Sequence, residues 1–347
     1  MNILITGGLG FIGSNLAESL KEKHNIVLMD NFWNKTSKKN KDVLGPKVRL
    51  IKGDARNPKH YNKVEKQFGK IDLVIHCAAN ANVSYGMKHP QTDLDLNLNS
   101  TIAALEFCRT QKQNTSFIFS SSVKVYPEVP INKRVKGVNI KRYLTDGWFN
   151  KFEGFNEETP IWGGDRTPYG CSKLASEIYC HEYANVYGIK TIINRMGCVY
   201  GPRQFENGEQ GWLVHFLHAN LNNKQLTING SGKQVRDLLY ISDLVELIKK
   251  EINFLERNDF DGAKTFTVGG GKNNTISLIE AMEEIERLIG KKFSPPTIYT
   301  QFRRGDHIVF FSSNKKAKKQ LNWSPKVSVA EGLTTLAYPN TFLNWSH

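Results

Sequence analysis

The chain has 347 residues, with 47 Lys and Arg against 33 Asp and Glu, a formal net charge of +14 and five cysteines. That length buries a sizeable core and suits a cofactor domain plus a smaller lobe. No run is long and apolar enough to span a bilayer, and the cysteines lack CxxC spacing, so reduced thiols in a cytoplasmic protein, with no metal site, are expected.

A strand opens the chain directly, so no signal peptide is expected. Lysine runs such as Lys38-Lys39-Asn40-Lys41 and Lys315-Lys316-Ala317-Lys318-Lys319 lack the interleaved aromatics of a single-strand groove. They read as a solvated basic surface that also attracts a diphosphate ligand, with neither nucleic acid nor membrane as partner.

Ile3-Leu4-Ile5 has the look of a buried parallel strand. The glycines Gly7, Gly8, Gly10 and Gly13 follow at once, and then a helical pattern. Strand, glycines and helix in that order predict a dinucleotide fingerprint. Glycine permits the tight turn and the close approach of backbone to a pyrophosphate. The helix N-terminus around Phe11 and Ile12 offers N–H groups to the phosphates. The competing reading is a glycine-rich turn without a ligand.

A second strand, Asn25 to Met29, ends at Asp30. An acid about twenty residues past the glycines suits the ribose hydroxyls of NAD and repels the 2′-phosphate of NADP. Further apolar runs lead to Gly53-Asp54-Ala55, to His76-Cys77-Ala78-Ala79 and to Ser120-Ser121-Ser122. Apolar runs that end in small or polar residues, with helical stretches between, predict an α/β fold. It is a Rossmann-like doubly wound parallel sheet with ligands at the strands' carboxyl ends. Asn31, Asp54, Ala55, Ala78 and Ala79 are therefore candidate cofactor contacts. Seven strands are expected, with Thr191–Asn194 and Thr265–Val268 among the later ones.

Tyr169 and Lys173 stand at i and i+4 in Thr167-Pro168-Tyr169-Gly170-Cys171-Ser172-Lys173, one face of a helix. A nearby ammonium favours the phenolate of a tyrosine whose usual pKa is about 10. Such a phenolate takes a proton from a sugar hydroxyl while hydride leaves the same carbon. The competing reading of that spacing is an amphipathic helix with its tyrosine in the core.

Together these motifs resemble the extended short-chain dehydrogenase/reductase family, in its nucleotide-sugar epimerase branch. The resemblance runs over nearly the whole chain. It adds Asn97, Val125-Tyr126, Tyr200-Gly201-Pro202-Arg203, Val235-Arg236-Asp237-Leu238, Asp243-Leu244 and Arg303-Arg304-Gly305-Asp306. It implies catalytic roles for Ser122, Tyr169 and Lys173. Ser122 bonds the reacting sugar oxygen, and Tyr169 is the acid/base. Lys173 binds the nicotinamide ribose and lowers the Tyr169 pKa.

Asn97 is implied near the cofactor, although Ser100 departs from the family's glycine. Arg236 and Arg303 are implied to grip the diphosphate, with Lys124, Arg203, Gln204 and Asp306 as further substrate contacts. For Asp306, pairing with an arginine is the alternative.

The family's 4,6-dehydratases carry an Asp-Glu pair after the catalytic hydroxyl residue. Here Val123-Lys124 follows Ser122, so elimination lacks its acid and base, and epimerisation is expected. Lys124-Val125-Tyr126, Tyr200-Gly201-Pro202-Arg203-Gln204-Phe205, Glu209-Gln210-Gly211-Trp212 and Gly232-Lys233-Gln234-Val235-Arg236-Asp237 resemble the CDP-paratose 2-epimerases. So does an insertion, Ile131 to Asp165, with Tyr143, Trp148, Phe149, Phe152 and Phe155. It reads either as a loop packed on itself or as a wall over the sugar. Pro127 stands where the family has glycine.

The resemblance implies inversion at C2 of a CDP-linked hexose, with NAD as cofactor, a place in polysaccharide biosynthesis, and a homodimer. Alternatives are a UDP- or GDP-sugar 4-epimerase and a non-catalytic NAD-binding protein. The expected domains are 1–193, with return segments near 235–268, for NAD, and mainly 194–347 for substrate.

Overall fold

Ile3, Leu4 and Ile5 are inaccessible to solvent because their strand has neighbours on both sides and helices over its faces. A computed structural model describes residues 1–34, 37–45, 48–111, 115–147, 153–205 and 211–338. Its strands open with β1 (Asn2–Thr6), β2 (Asn25–Asp30), β3 (Arg49–Lys52), β4 (Leu73–His76) and β5 (Ser116–Ser122). Next come β6 (Val135–Val138), β7 (Tyr143–Thr145), β8 (Thr191–Met196), β9 (Cys198–Tyr200) and β10 (Thr227–Asn229). The last are β11 (Val235–Tyr240), β12 (Ala263–Val268), β13 (Thr275–Ser277), β14 (Ile298–Thr300) and β15 (Val309–Phe310).

Seven strands form one sheet in the order β12-β8-β5-β4-β1-β2-β3, as the apolar runs predict. The β1–β2, β1–β4, β2–β3 and β4–β5 pairs are parallel, with Ile5 opposite both Leu28 and Ile75. The order reverses at β1, the switch point where doubly wound sheets take ligands. Buried Leu4, Val74, Phe117, Phe119, Leu105 and Cys180 belong to one core cluster.

The described chain divides into two compact units. The first holds Met1–Val125, Pro168–Arg195 and Val245–Phe266. The second holds Tyr126–Thr167, Met196–Leu244 and the described residues from Thr267 onward. In the second unit β11 is the organising strand: antiparallel to β13, and parallel to β15 and β9.

The buried carboxylate of Asp237 on β11 accepts the backbone N–H groups of Ser312 (2.9 Å) and Gly271 (3.1 Å). Asp243 accepts those of Lys326 and Val327, both at 2.9 Å. Both acids of the Arg236-Asp237…Asp243 stretch thus hold backbone.

The described part of the Ile131–Asp165 insertion packs in this second unit. β6 and β7 form an antiparallel hairpin. Phe155 is buried and stacks on Phe310, with ring centroids 4.7 Å apart. Tyr143 Oη accepts a hydrogen bond from Ser231 Oγ at 3.2 Å. Phe155 is a core residue here. Trp148, Phe149, Phe152, Glu209 and Gln210 lie outside the described residues. The five cysteines are free thiols, and no described helix is long and apolar enough to cross a membrane.

Candidate active site

The glycines behind β1 are dictated by space. Gly7 has φ +63°, and a Cβ there would lie 2.7 Å from the backbone nitrogen of Ala78. A Cβ on Gly13 would lie 2.5 Å from the Gly7 carbonyl oxygen. The following helix, Phe11–Leu20, starts at Gly10 with no side-chain cap and no acid in its first turn. The N–H groups of a first helical turn have no partner within the helix. Uncapped here, those around Phe11, Ile12 and Gly13 would suit an anion.

At the end of β2, Asp30 is buried. Its Oδ2 accepts Leu9 N–H at 3.1 Å and its Oδ1 accepts Phe32 N–H at 2.8 Å. The acid and the glycine loop are therefore one rigid piece, and burial pushes the Asp30 carboxyl up. This cradle fits a dinucleotide: Gly7, Gly10 and Gly13 let the loop fold tightly on itself ahead of an uncapped helix N-terminus that a pyrophosphate would meet, and Asp30 would meet a ribose.

Replacing Gly13 by Ala pushes a methyl against backbone and forces the loop outward. We expect NAD affinity, measured by calorimetry, to fall at least about tenfold, with thermal stability lowered only modestly. Unchanged affinity would show that the loop does not hold the cofactor.

The other first-unit candidates lie at strand ends. Asn31 Nδ2 donates to Asp54 Oδ2 at 3.1 Å. Asp54 is also forked by Arg56, whose Nε and Nη2 lie 2.9 and 2.7 Å from its two oxygens. Arg56 holds the Asp54 carboxyl well below the usual range. Arg56, which the sequence reading did not single out, also pairs with Asp95. Ala55 presents its carbonyl to Tyr61 Oη at 3.0 Å. Ala78 backs Gly7, and Ala79 beside it is exposed.

Asn97 lies in a π-helical turn, Asp95–Asn99, a local irregularity common at functional sites. Ser100, the departure from glycine, donates its hydroxyl back to the Leu96 carbonyl at 2.6 Å. Asn97 itself is fully buried. Its Oδ1 accepts Asn80 N–H at 2.7 Å, and its Nδ2 donates to Ser172 Oγ at 2.9 Å.

Ser122 ends β5, with Lys124 in the short 3₁₀ turn behind it; Lys124 N–H donates to Ser122 Oγ at 3.2 Å. Tyr169 and Lys173 sit near the start of the helix Pro168–Tyr187, one turn apart. The Ser122 side chain acts on the Tyr169 phenol, lowering its pKa against the effect of burial. Lys173 Nζ donates to the Ser120 carbonyl at 2.8 Å and lies 4.8 Å from the centre of the Phe119 ring.

The electrostatics correct one expectation. Burial pushes Tyr169 up to about 12, opposed by the Ser122 side chain, and Asp93 pushes it the same way as burial. The lowering expected from Lys173 is not what this structure shows. The lysine is committed to Ser120 and Phe119, and burial pushes it down to about 8.

Below pH 8 the fold therefore holds an ammonium that would rather be in water. Between 8 and 10.5 the unfolded chain keeps a proton the folded chain has lost, so this group's contribution to stability rises with pH across that window. We expect Lys173→Met to raise the stability of the cofactor-free protein by about 2 kcal/mol at neutral pH, after the lost bond to Ser120. The gain should shrink toward pH 10.5. Denaturant melts at several pH values test it; a variant less stable at neutral pH contradicts the assignment.

In the second unit, Arg236 donates from Nη1 to the Val235 carbonyl at 2.8 Å, and its Nη2 lies 3.8 Å from Asp306. Arg303 lies against Asn229, whose amide oxygen, in the orientation that satisfies both groups, accepts Nη2 and Nε at 2.8 and 3.0 Å. Arg203 is buried in a left-handed backbone conformation at φ +70°. Gln204 donates to the Val199 carbonyl at 3.4 Å. The structure thus pairs Asp306 with an arginine.

Comparison with known proteins bears on this arrangement. The model of the NAD dependent epimerase/dehydratase family matches residues 3–269. The CDP-paratose 2-epimerase of Salmonella typhi is 31% identical, over 96% of this chain and 97% of its own length. A putative UDP-glucose 4-epimerase of Methanocaldococcus jannaschii is 31% identical over 95% of both. Among solved structures, the UDP-glucuronic acid 4-epimerase of Bacillus cereus, in complex with UDP-glucuronic acid and NAD, has a TM-score of 0.78. It shares 26% identity across 99% of each chain.

Proposed function

Because the chain belongs to the NAD dependent epimerase/dehydratase family, we propose that it inverts C2 of a CDP-linked hexose, as a CDP-paratose/CDP-tyvelose type epimerase. It is an NAD-dependent nucleotide-sugar epimerase; the base, the sugar and the inverted carbon are what we add. The observation that carries the reading is the trio at the end of β5. Ser122 lowers the pKa of the Tyr169 phenol against burial, Lys173 lies one turn along the same helix, and Val123-Lys124 places no carboxylate after Ser122. The relative from Salmonella typhi supports CDP and C2.

When bound, NAD accepts a hydride and gives it back. Ser122 would hold the reacting oxygen. Tyr169 would take the hydroxyl proton as the carbinol is oxidised to a ketone. After the ketone turns its other face to the hydride, Tyr169 would return that proton to the oxygen. Proton and hydride go back to the sugar, so nothing is consumed. Lys173 would hold the nicotinamide ribose and keep a positive charge near the phenol. In the second unit Arg236 and Arg303 would supply donors to the diphosphate, with Arg203 and Gln204 as further contacts.

A homodimer belongs to the same reading. Ile178, Tyr179, Val186 and Tyr187 on the Pro168–Tyr187 helix are 42 to 58% exposed, an apolar face suited to a second copy.

The test is incubation of purified protein with CDP-, UDP- and GDP-hexoses, following the C2 and C4 proton resonances. Inversion at C2 of a CDP-sugar is expected. Inversion at C4 of a UDP-sugar would favour the reading that the Methanocaldococcus jannaschii relative supports. NAD binding without turnover of any sugar would leave only a binding protein.

A further inference from the structure

Asp93 is a buried carboxylate, inaccessible to solvent, for which the chemistry above has no use. Its Oδ1 accepts Asn80 Nδ2 at 2.8 Å, and its Oδ2 accepts Ser172 Oγ at 3.0 Å. Gly86 of the helix Val83–Lys88 closes over it: a Cβ there would lie 2.7 Å from Asp93 Oδ1. All its hydrogen-bond donors are neutral, and burial pushes its carboxyl up against those bonds and the charge of Lys173. An asparagine would satisfy the same neighbours at lower cost. A carboxyl group at this place therefore calls for an explanation.

The bonding pattern gives one. With Asp93 ionised, Ser172 Oγ spends its single proton on the carboxylate and turns a lone pair to Asn97 Nδ2 at 2.9 Å. That fixes Asn97 Oδ1 on Asn80 N–H at 2.7 Å. Ser172 precedes Lys173, and its Oγ also lies 3.0 Å from the Tyr169 carbonyl.

We propose that Asp93 is a positioning residue of this active site. Through Asn80 and Ser172 it fixes the Asn97 amide and the first turn of the Tyr169–Lys173 helix, and its charge sets where on the pH scale that pair works. The assignment rests on the epimerase reading above. The titratable groups facing Asp93 are Tyr169 and Lys173, both on the Pro168–Tyr187 helix. Asn80, Asn97 and Gly86, from the other packed segments, bring no charge. A fixed negative charge raises the proton affinity of both groups, as it does here.

Asp93→Asn keeps the bonds, because Ser172 can turn its proton to the Tyr169 carbonyl, and it removes the charge. The apparent values of a coupled pair belong to the pair, so the prediction is a common displacement. Both limbs of the kcat profile should move to lower pH by about one unit. The assay uses the nucleotide sugar that the wild type inverts, with near-ultraviolet circular dichroism confirming the fold.

A merely structural role would lower kcat and leave both limbs in place, and that result overturns the assignment. Should Asp93→Asn not fold, Ser172→Ala carries the test. It breaks the relay and leaves the charge, so kcat should fall at least about tenfold with the limbs unmoved, and Ser172→Thr, which keeps the hydroxyl, should restore it; a kcat within twofold of wild type in Ser172→Ala, or no rescue by Ser172→Thr, overturns the assignment. If the wild type inverts no sugar, the epimerase reading fails and takes this assignment with it. Turnover with unmoved limbs in Asp93→Asn removes this assignment alone.

Discussion

Replacing Tyr169 by Phe should lower kcat about a thousandfold and leave NAD binding and the fold intact. The ring is 8% exposed, between the Ser122 end of β5 and its own helix, and phenylalanine fills that space. Only the oxygen goes. In the proposed mechanism the lost hydroxyl is the group of the trio that takes and returns the proton.

Burial holds the phenol up at about 12, so the protein without cofactor presents a protonated tyrosine, ready as the acid of the return step. Its use as base then depends on the positive charges brought beside it, those of Lys173 and the nicotinamide. The measurement is turnover of the sugar that the wild type inverts, alongside bound NAD released from equal amounts of protein. A variant within tenfold of wild-type kcat would remove Tyr169 from the chemistry. Loss of NAD and activity together would instead assign it to cofactor binding.

What the sequence made legible follows from how parallel sheets are built. A strand buried on both faces writes itself as an uninterrupted apolar run, and the small or polar residues ending each run mark where a ligand approaches. Ile3–Ile5 with Gly7, and Phe117–Phe119 with Ser122, are read that way, as is the i, i+4 pair of Tyr169 and Lys173.

The electrostatics of the same pair were not legible. The spacing puts an ammonium beside a phenol but says nothing of the burial that pushes Tyr169 up and Lys173 down. Polar partners from distant stretches leave no period either. Nothing in the string joins Asp93 to Ser172, Arg56 to Asp95, or Asn229 to Arg303. Asp237 and Asp243 read as part of a motif with Arg236, and they prove to hold backbone N–H groups. The Ile131–Asp165 stretch reads either as a loop packed on itself or as a wall over the sugar, and nothing in it announces that Phe155 packs in the core of the second unit.

Beneath the trio lies a charge pair whose loss should cost more stability than any other change considered. Glu177, two turns past Tyr169 on the same helix, meets Arg195 on β8; their side chains are 2 and 7% exposed. Arg195 Nε lies 3.1 and 3.0 Å from the two carboxylate oxygens and Nη2 lies 2.7 Å from one of them, while Ser121 Oγ on β5 donates to Oε1 at 2.5 Å. Helix, β5 and β8 are thereby pinned at one point, next to Ser122.

Glu177→Ala leaves a guanidinium buried without its counter-charge. The expected cost is about 3 to 5 kcal/mol, a fall of about 10 °C in the first thermal transition. The double variant Glu177→Leu with Arg195→Met removes both charges and should recover most of the loss, because a buried ion pair is worth little over apolar residues of similar volume. That recovery should not extend to kcat, since the Ser121 hydroxyl loses its acceptor and β5 its anchor beside Ser122. Calorimetric scans of the two variants, with turnover on each, separate these effects. A Glu177→Ala protein that melts within 2 °C of wild type, a cost of roughly 1 kcal/mol or less, would show that Arg195 finds solvent and that the pair pins nothing.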